Sequence, residues 1–161
     1  MRILPLTGSH DRKGFDCGRQ ELNDWLQRVA RQHQDKGLSK TFVAALDHVS
    51  ATIAGYYALT LTEVDHRHLP DAYRKKLPRR IPGVRLGRLA VDLRYHRKGL
   101  GTLLLVDALA RTQRIYEEAG GIGLFVDALD ARAAAFYSRF GFLAVPDNPL
   151  MLFLPVEAFG R

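Results

Sequence analysis

Residues 84–102 limit what this chain can fold into more than any other stretch. An apolar run, Val84-Arg85-Leu86-Gly87-Arg88-Leu89-Ala90-Val91, leads into His96-Arg97-Lys98-Gly99-Leu100-Gly101-Thr102, and a long helical pattern starts near Leu100. A strand, a glycine-bearing loop and a helix N-terminus in that order build an anion site. The amides of the first helical turn have no acceptor within the helix, the helix dipole places partial positive charge there, and glycine lets a ligand approach the backbone. Arg97 and Lys98 add two full charges. The ligand expected there carries a phosphate or pyrophosphate. The spacing excludes a Walker loop, because no Gly-x-x-x-x-Gly-Lys-Ser/Thr run exists. Gly99 and Gly101 could begin a dinucleotide fingerprint, but the third glycine position holds Leu104 and no early strand precedes it.

The rest of the chain reads as mixed α/β, a single domain over residues 1–161. Its 161 residues are 47% hydrophobic, enough for one buried core. No run of eighteen uncharged apolar residues exists, and Met1-Arg2-Ile3-Leu4-Pro5-Leu6-Thr7 is too short an apolar start for a secretion signal, so no membrane association is expected. The single cysteine, Cys17, forbids an intramolecular disulfide and fits a cytoplasmic location. Asp16 is placed to cap a helix over residues 19–34, whose Leu22, Trp25, Leu26, Val29 and Ala30 form an apolar stripe. Runs at 41–46 and 52–62 read as an antiparallel hairpin through Asp47-His48-Val49-Ser50. Residues 63–82 are polar, with a short helix at 71–77. A strand at 84–92, a helix at 100–119, a strand at 122–127 and a helix at 132–140 follow, with Gly120-Gly121 and Gly141 as helix stops. Closing strands at 143–145 and 151–154 surround Pro146-Asp147-Asn148-Pro149.

The net charge of +7 is unevenly placed. Residues 74–98 hold ten basic side chains and one acid, Asp92, with Arg74-Lys75-Lys76 and Arg79-Arg80 the densest part. A thinner set, Arg28, Arg31, Lys36 and Lys40, lies on or after the first helix. Such a balance favours polyanionic partners and says nothing about the fold. Beside a phosphate loop it points towards a nucleic-acid substrate, the alternative being a solvated basic face.

The order of elements, the loop after a central strand, and Ala135-Phe136-Tyr137-Ser138-Arg139-Phe140-Gly141-Phe142 resemble the GNAT superfamily of N-acetyltransferases. Phe15-Asp16-Cys17-Gly18 with Leu22-Asn23, Gly55-Tyr56-Tyr57-Ala58-Leu59, Leu86-Gly87-Arg88-Leu89-Ala90-Val91-Asp92 and Val126-Asp127-Ala128 narrow the resemblance to the acetyltransferase toxins of toxin–antitoxin modules. It covers residues 10–154. It implies a central mixed, largely antiparallel sheet flanked by helices, an acyl-CoA cleft between splayed central strands, and acetyl-CoA as co-substrate with no metal. Leu89, Ala90 and Val91 match the strand that pairs with the pantetheine arm. His96, Arg97, Lys98, Gly99, Leu100, Gly101 and Thr102 match the loop that wraps the pyrophosphate. Asp130 falls where relatives carry an asparagine near the pantetheine, and Phe136 joins the cofactor-binding set. Tyr137 matches the general acid for the leaving thiolate. Such toxins acetylate the amino group of aminoacyl-tRNA, pair with a DNA-binding antitoxin of the ribbon-helix-helix type, and form homodimers. Two positions depart from the superfamily: the loop usually opens with Gln or Arg, here His96, and the next position is often glycine, here Arg97.

Acyl transfer from a thioester needs a free-base amine and a proton for the departing thiolate. An α-amino group titrates near 7.7–8.0 against roughly 10.4 for lysine, and a neighbouring ester lowers it further, so a carboxylate base is dispensable. A tyrosine hydroxyl, near 10, suits the donor role. Helical spacing puts Phe136 and Phe140 on one face and turns Tyr137 away, the alternative being a third core aromatic. Arg74, Lys75, Lys76, Arg79 and Arg80, with Arg28 and Arg31 as a second arm, are expected on tRNA phosphates, and Arg88 nearer the CCA end. Asp127 reads as a base or as a carboxylate holding the turn after its strand. His66 and His68 could share one side of a strand, but no third metal ligand is apparent. Two other functions stay open: acetylation of a protein N-terminus or small amine, and a non-catalytic module that binds CoA or nucleic acid.

Overall fold

Strands form where apolar residues alternate or run together, and helices where they recur every three to four positions. The computed structural model describes residues 1–47 and 49–159; His48, in the expected turn after the second strand, lies outside the described residues. Along the chain come β1 (Arg2–Pro5), α1 (Gln20–Arg28), α2 (Ala30–Asp35), β2 (Lys40–Ala45), β3 (Gly55–Asp65) and β4 (Arg80–Val91). They are followed by α3 (Leu100–Ala119), β5 (Gly123–Asp127), α4 (Ala131–Ser138), β6 (Leu143–Val145) and β7 (Asn148–Pro155). The described strands share one seven-stranded sheet, ordered β1-β2-β3-β4-β5-β7-β6. Pairing is antiparallel for β1 with β2, β2 with β3, β5 with β7 and β6 with β7. β4 pairs with β5 in parallel, at Val84↔Leu124, Arg85↔Phe125 and Leu86↔Val126. This is the mixed, largely antiparallel α/β fold implied by the resemblance.

Residues divide into two compact units, 1–60 with 88–108, and 61–87 with 109–161. The core of the first gathers Leu6, Phe15, Leu26, Ala30, Val43, Ile53, Tyr56 and Ala90, with Leu22 and Trp25 packed against it. That of the second gathers Val64, Leu69, Ile81, Phe125, Met151 and Phe153, with Tyr73, Leu77 and Ile122 at its edge.

Four local expectations are corrected. The helix over residues 19–34 is two segments, because Val29 sits at φ −117°, outside helical values. The second segment is tied to strand backbone: Gln34 donates to the Leu6 carbonyl at 2.8 Å and accepts from the Thr41 amide at 3.0 Å. Periodicity cannot see such a tether. Asp16 caps no helix; its carboxylate accepts from the Gly18 amide and from Asn23 Nδ2 instead. The helix at 71–77 shrinks to one turn, Asp71–Tyr73, and His66 and His68 sit in another such turn rather than along a strand.

Candidate active site

β4 leaves its parallel partner after Leu86↔Val126 yet continues to Val91. Leu89, Ala90 and Val91 therefore lie beyond the last registered pair with β5. A single turn, Leu93–Tyr95, carries the chain from β4 into the glycine loop. Two bonds tie that loop back: the His96 amide donates to the Leu93 carbonyl at 3.4 Å, and His96 Nε2 donates to the Val91 carbonyl at 2.7 Å. The imidazole that replaces the usual Gln or Arg is thus a brace on the strand end. Arg97 (φ +62°) and Gly99 (φ +76°) both adopt the left-handed conformation, so the superfamily's frequent glycine position keeps its backbone shape with arginine in place. The first α-helical bond of α3 runs from the Leu103 amide to the Gly99 carbonyl at 3.1 Å, which leaves the Leu100, Gly101 and Thr102 amides ahead of it. A Cβ built on Gly99 would meet nothing within 4 Å, so the loop has open room on that side. The side chains of Arg97 and Lys98 are exposed, and Lys98 Nζ stands 5.8 Å from the Tyr95 ring centroid.

In the other unit, α4 starts where the Asp130 carboxylate accepts from the Ala133 amide at 2.9 Å; the expected pantetheine neighbour is the helix cap. Tyr137 is 5% exposed, and its ring packs against Phe136 and Phe142. The face expected to be core, Phe136 and Phe140, is the half-buried one. Burial and the charge of Asp127 push the Tyr137 phenol well above its ordinary value, so it stays protonated.

Four tyrosines are buried, and their hydroxyls distinguish them. Tyr56 donates to the Leu22 carbonyl at 2.7 Å and Tyr57 to Asp107, while Tyr116 accepts from the Val84 amide at 3.1 Å. Among the described residues the Tyr137 hydroxyl has no hydrogen-bond partner. That hydroxyl oxygen is not among the fully enclosed unpartnered atoms of the described residues, which are Ser39 Oγ, Thr41 Oγ1 and His66 Nδ1, so it keeps a path to the outside. Asp127, by contrast, pairs with Arg85 Nη1 at 2.8 Å. Sequence reasoning singled out Asp127 but missed Arg85, because the two are 42 positions apart.

The basic residues are less free than their run suggests. Arg74 bonds the Leu69 carbonyl and pairs with Asp71 at 3.0 Å, Arg79 reaches Asp65 at 3.4 Å, and Arg80 reaches Glu63 at 3.6 Å. These acids lie just upstream of the window counted for charge. Lys75 and Lys76 are exposed with no ion pair among the described residues, and Lys76 has φ +66°. In the other unit Arg28 is exposed at the end of α1, and the Arg31 guanidinium lies over Gly8. The Arg88 guanidinium lies 5.1 Å from the centroid of Trp25, whose ring stacks on Tyr56. No group of three or more His, Cys, Asp or Glu among the described residues could hold a metal, and none of their helices is long and apolar enough to cross a membrane.

A family model described as an acetyltransferase (GNAT) domain matches residues 39–143. The chain is 34% identical over 149 residues to the tRNA-acetylating toxin of Mycobacterium tuberculosis strain H37Rv, covering 92% of this chain and 88% of that protein. The structure resembles AtaT complexed with acetyl-methionyl-tRNAfMet, with TM-score 0.88, 32% identity, and coverage of 98% of this chain and 95% of that one. It also resembles a Tyr-to-Phe mutant of the AtaT toxin bound to the C-terminus of the antitoxin AtaR and acetyl-CoA, with TM-score 0.82, 30% identity, and coverage of 98% and 94%.

Proposed function

This chain belongs to the GNAT acetyltransferase family, and on that premise we propose that it acetylates the α-amino group of aminoacyl-tRNA, as the translation-blocking toxin of a toxin–antitoxin pair. One observation carries the chemistry: Tyr137 alone among the buried tyrosines keeps a hydroxyl without a partner among the described residues. The substrate class is supported by likeness to a tRNA-acetylating toxin and to AtaT in complex with an acetylated aminoacyl-tRNA.

Acetyl-CoA, when bound, supplies the thioester that the amine attacks. The residues fit it: a basic loop with two left-handed positions, open room over Gly99, and helix-start amides without acceptors. His96, Arg97, Lys98, Gly99, Leu100, Gly101 and Thr102 hold its phosphates, and Leu89, Ala90 and Val91 offer backbone to the pantetheine arm. Asp130, at the cap of α4, and Phe136, within it, complete the candidate cofactor contacts. The Tyr137 hydroxyl gives its proton to the departing thiolate. Its raised pKa keeps the phenol in the protonated form that a proton donor needs before transfer. The amine needs no carboxylate base, consistent with Asp127 being committed to Arg85.

Lys75, Lys76, Arg74, Arg79, Arg80, Arg28, Arg31 and Arg88 are the candidate tRNA contacts. The exposed ion pairs of Arg74, Arg79 and Arg80 are weak enough for phosphate to displace. The partner is an antitoxin of the ribbon-helix-helix type, the assembly a homodimer, and the compartment the cytoplasm. The test is Tyr137→Phe, which keeps the ring. Transfer to charged tRNA should fall by roughly 10²–10⁴ with acetyl-CoA affinity retained. Wild-type turnover in the folded variant would overturn the role of Tyr137. Transfer to peptide N-termini or small amines, and none to charged tRNA, would favour the ordinary acetyltransferase reading.

A further inference from the structure

Asp92, the lone acid of the basic stretch, is 2% exposed and carries four hydrogen bonds on its carboxylate. Oδ1 accepts from the Arg94 amide at 2.9 Å and from Arg94 Nε at 2.9 Å. Oδ2 accepts from Arg94 Nη2 at 3.1 Å and from the Asp16 amide at 3.0 Å. Its backbone is equally committed. The Asp92 amide donates to the Ala54 carbonyl at 2.9 Å, the next amide, of Leu93, donates to the Asp16 carbonyl at 2.9 Å, and the Tyr95 amide donates back to the Asp92 carbonyl at 2.9 Å. Asp16 is itself locked, its carboxylate accepting from Gly18 and Asn23, while Asn23 Oδ1 accepts from the Cys17 amide. Three separate stretches of chain therefore meet at one residue: its carboxylate joins residues 16–23 to the turn that leaves β4, and its amide ties both to the approach to β3.

That turn is the one element between the strand and the loop. Arg97 holds a left-handed φ that its side chain disfavours, so fixed loop ends help keep this shape. One end is the helix start of α3. At the other, His96 is tied to Val91 and Leu93, and Leu93 to Asp16. We propose that Asp92 is the positioning residue of the anion loop: its saturated carboxylate aims residues 96–99 and thereby sets affinity for acetyl-CoA without touching it. The inference rests on the cofactor reading of that loop. Burial alone would push the Asp92 carboxyl up, but the bonds from Arg94 and Asp16 outweigh it and hold the group below the ordinary carboxylate range, so the charged acceptor is the resident form.

Asp92→Asn removes the charge and turns one of the two acceptor oxygens into a donor facing donors. Arg94→Gln removes two of the four bonds from a half-exposed side chain and leaves the buried acid in place. Calorimetry with acetyl-CoA, at a temperature where thermal melts show every variant folded, should give a Kd raised about tenfold for Asp92→Asn and about threefold for Arg94→Gln. Arg94→Lys, which keeps the charge, should recover part of the loss. In turnover at saturating acetyl-CoA, kcat should stay within about twofold while KM for acetyl-CoA rises. A folded Asp92→Asn protein with wild-type Kd would overturn the proposal, as would a fall in kcat at constant KM. Should Asp92→Asn not fold, unchanged affinity in Arg94→Gln overturns it equally. If the wild-type protein itself binds no acetyl-CoA, the cofactor reading fails rather than the role of Asp92.

Discussion

Arg97→Gly should make the protein more stable and the cofactor loop weaker at once. Arg97 sits at φ +62°, and a non-glycine residue there costs roughly 1–2 kcal/mol against glycine's freedom to adopt it. Glycine brings back about 0.5–1 kcal/mol of chain entropy to the unfolded state. The net gain is about 0.5–1 kcal/mol, which for a chain of this length shifts Tm by roughly 1–4 °C. Arg97→Ala is the control, because it removes the charge and keeps the left-handed strain. Both variants should lose affinity for acetyl-CoA by about tenfold if the guanidinium makes a charge-assisted phosphate contact. Only the glycine variant should melt higher than wild type. Paired calorimetric melts and acetyl-CoA titrations separate the two effects. A glycine variant no more stable than the alanine one would refute the claim that strain is stored at this position. Full affinity in both would refute the phosphate contact and leave the side chain as solvated charge.

Tyr116→Phe should destabilise by about 1–3 kcal/mol in urea titrations, because it strips the acceptor from the buried Val84 amide. Reversing Lys75, Lys76, Arg79 and Arg80 to glutamate should weaken tRNA binding and lower its salt slope by up to about one unit per lost contact, leaving acetyl-CoA affinity unchanged. Filter binding at two salt concentrations measures this, and an unchanged slope would make the segment a solvated face. Stability should also depend on acid through Asp92, whose folded pKa is depressed. Its contribution is complete above the unfolded value of about 3.9 and is lost as pH falls through the lower folded value. Melts of wild type and Asp92→Asn between pH 6 and pH 2 should converge at the acid end.

Local rules read some parts of this protein well. The glycine loop at 96–102 was legible because strand, glycine spacing and helix onset are contiguous, and α3 was legible because twenty residues of helical pattern end at paired glycines. The hairpin of β2 and β3 followed from two apolar runs and the turn between them. β1, at four residues, is too short to signal itself and exists because β2 offers it a ladder. Tyr137 was legible only as a type of residue in a motif. That its hydroxyl differs from those of Tyr56, Tyr57 and Tyr116 depends on Leu22, Asp107 and Val84, each 32 or more positions from its tyrosine.

Sequence alone thus determined where the chain turns, which faces are apolar and where a glycine loop meets a helix start, since all of these arise from neighbours within a few residues. Tertiary structure decided which polar groups are spent and which are left over. Asp92 meets Asp16 across 76 positions and Asp127 meets Arg85 across 42, and the basic run finds its acids in Glu63, Asp65 and Asp71. Hydrogen bonds and ion pairs act only over a few ångströms, so a side chain's chemistry depends on what folding brings beside it, and spacing along the chain does not carry that information.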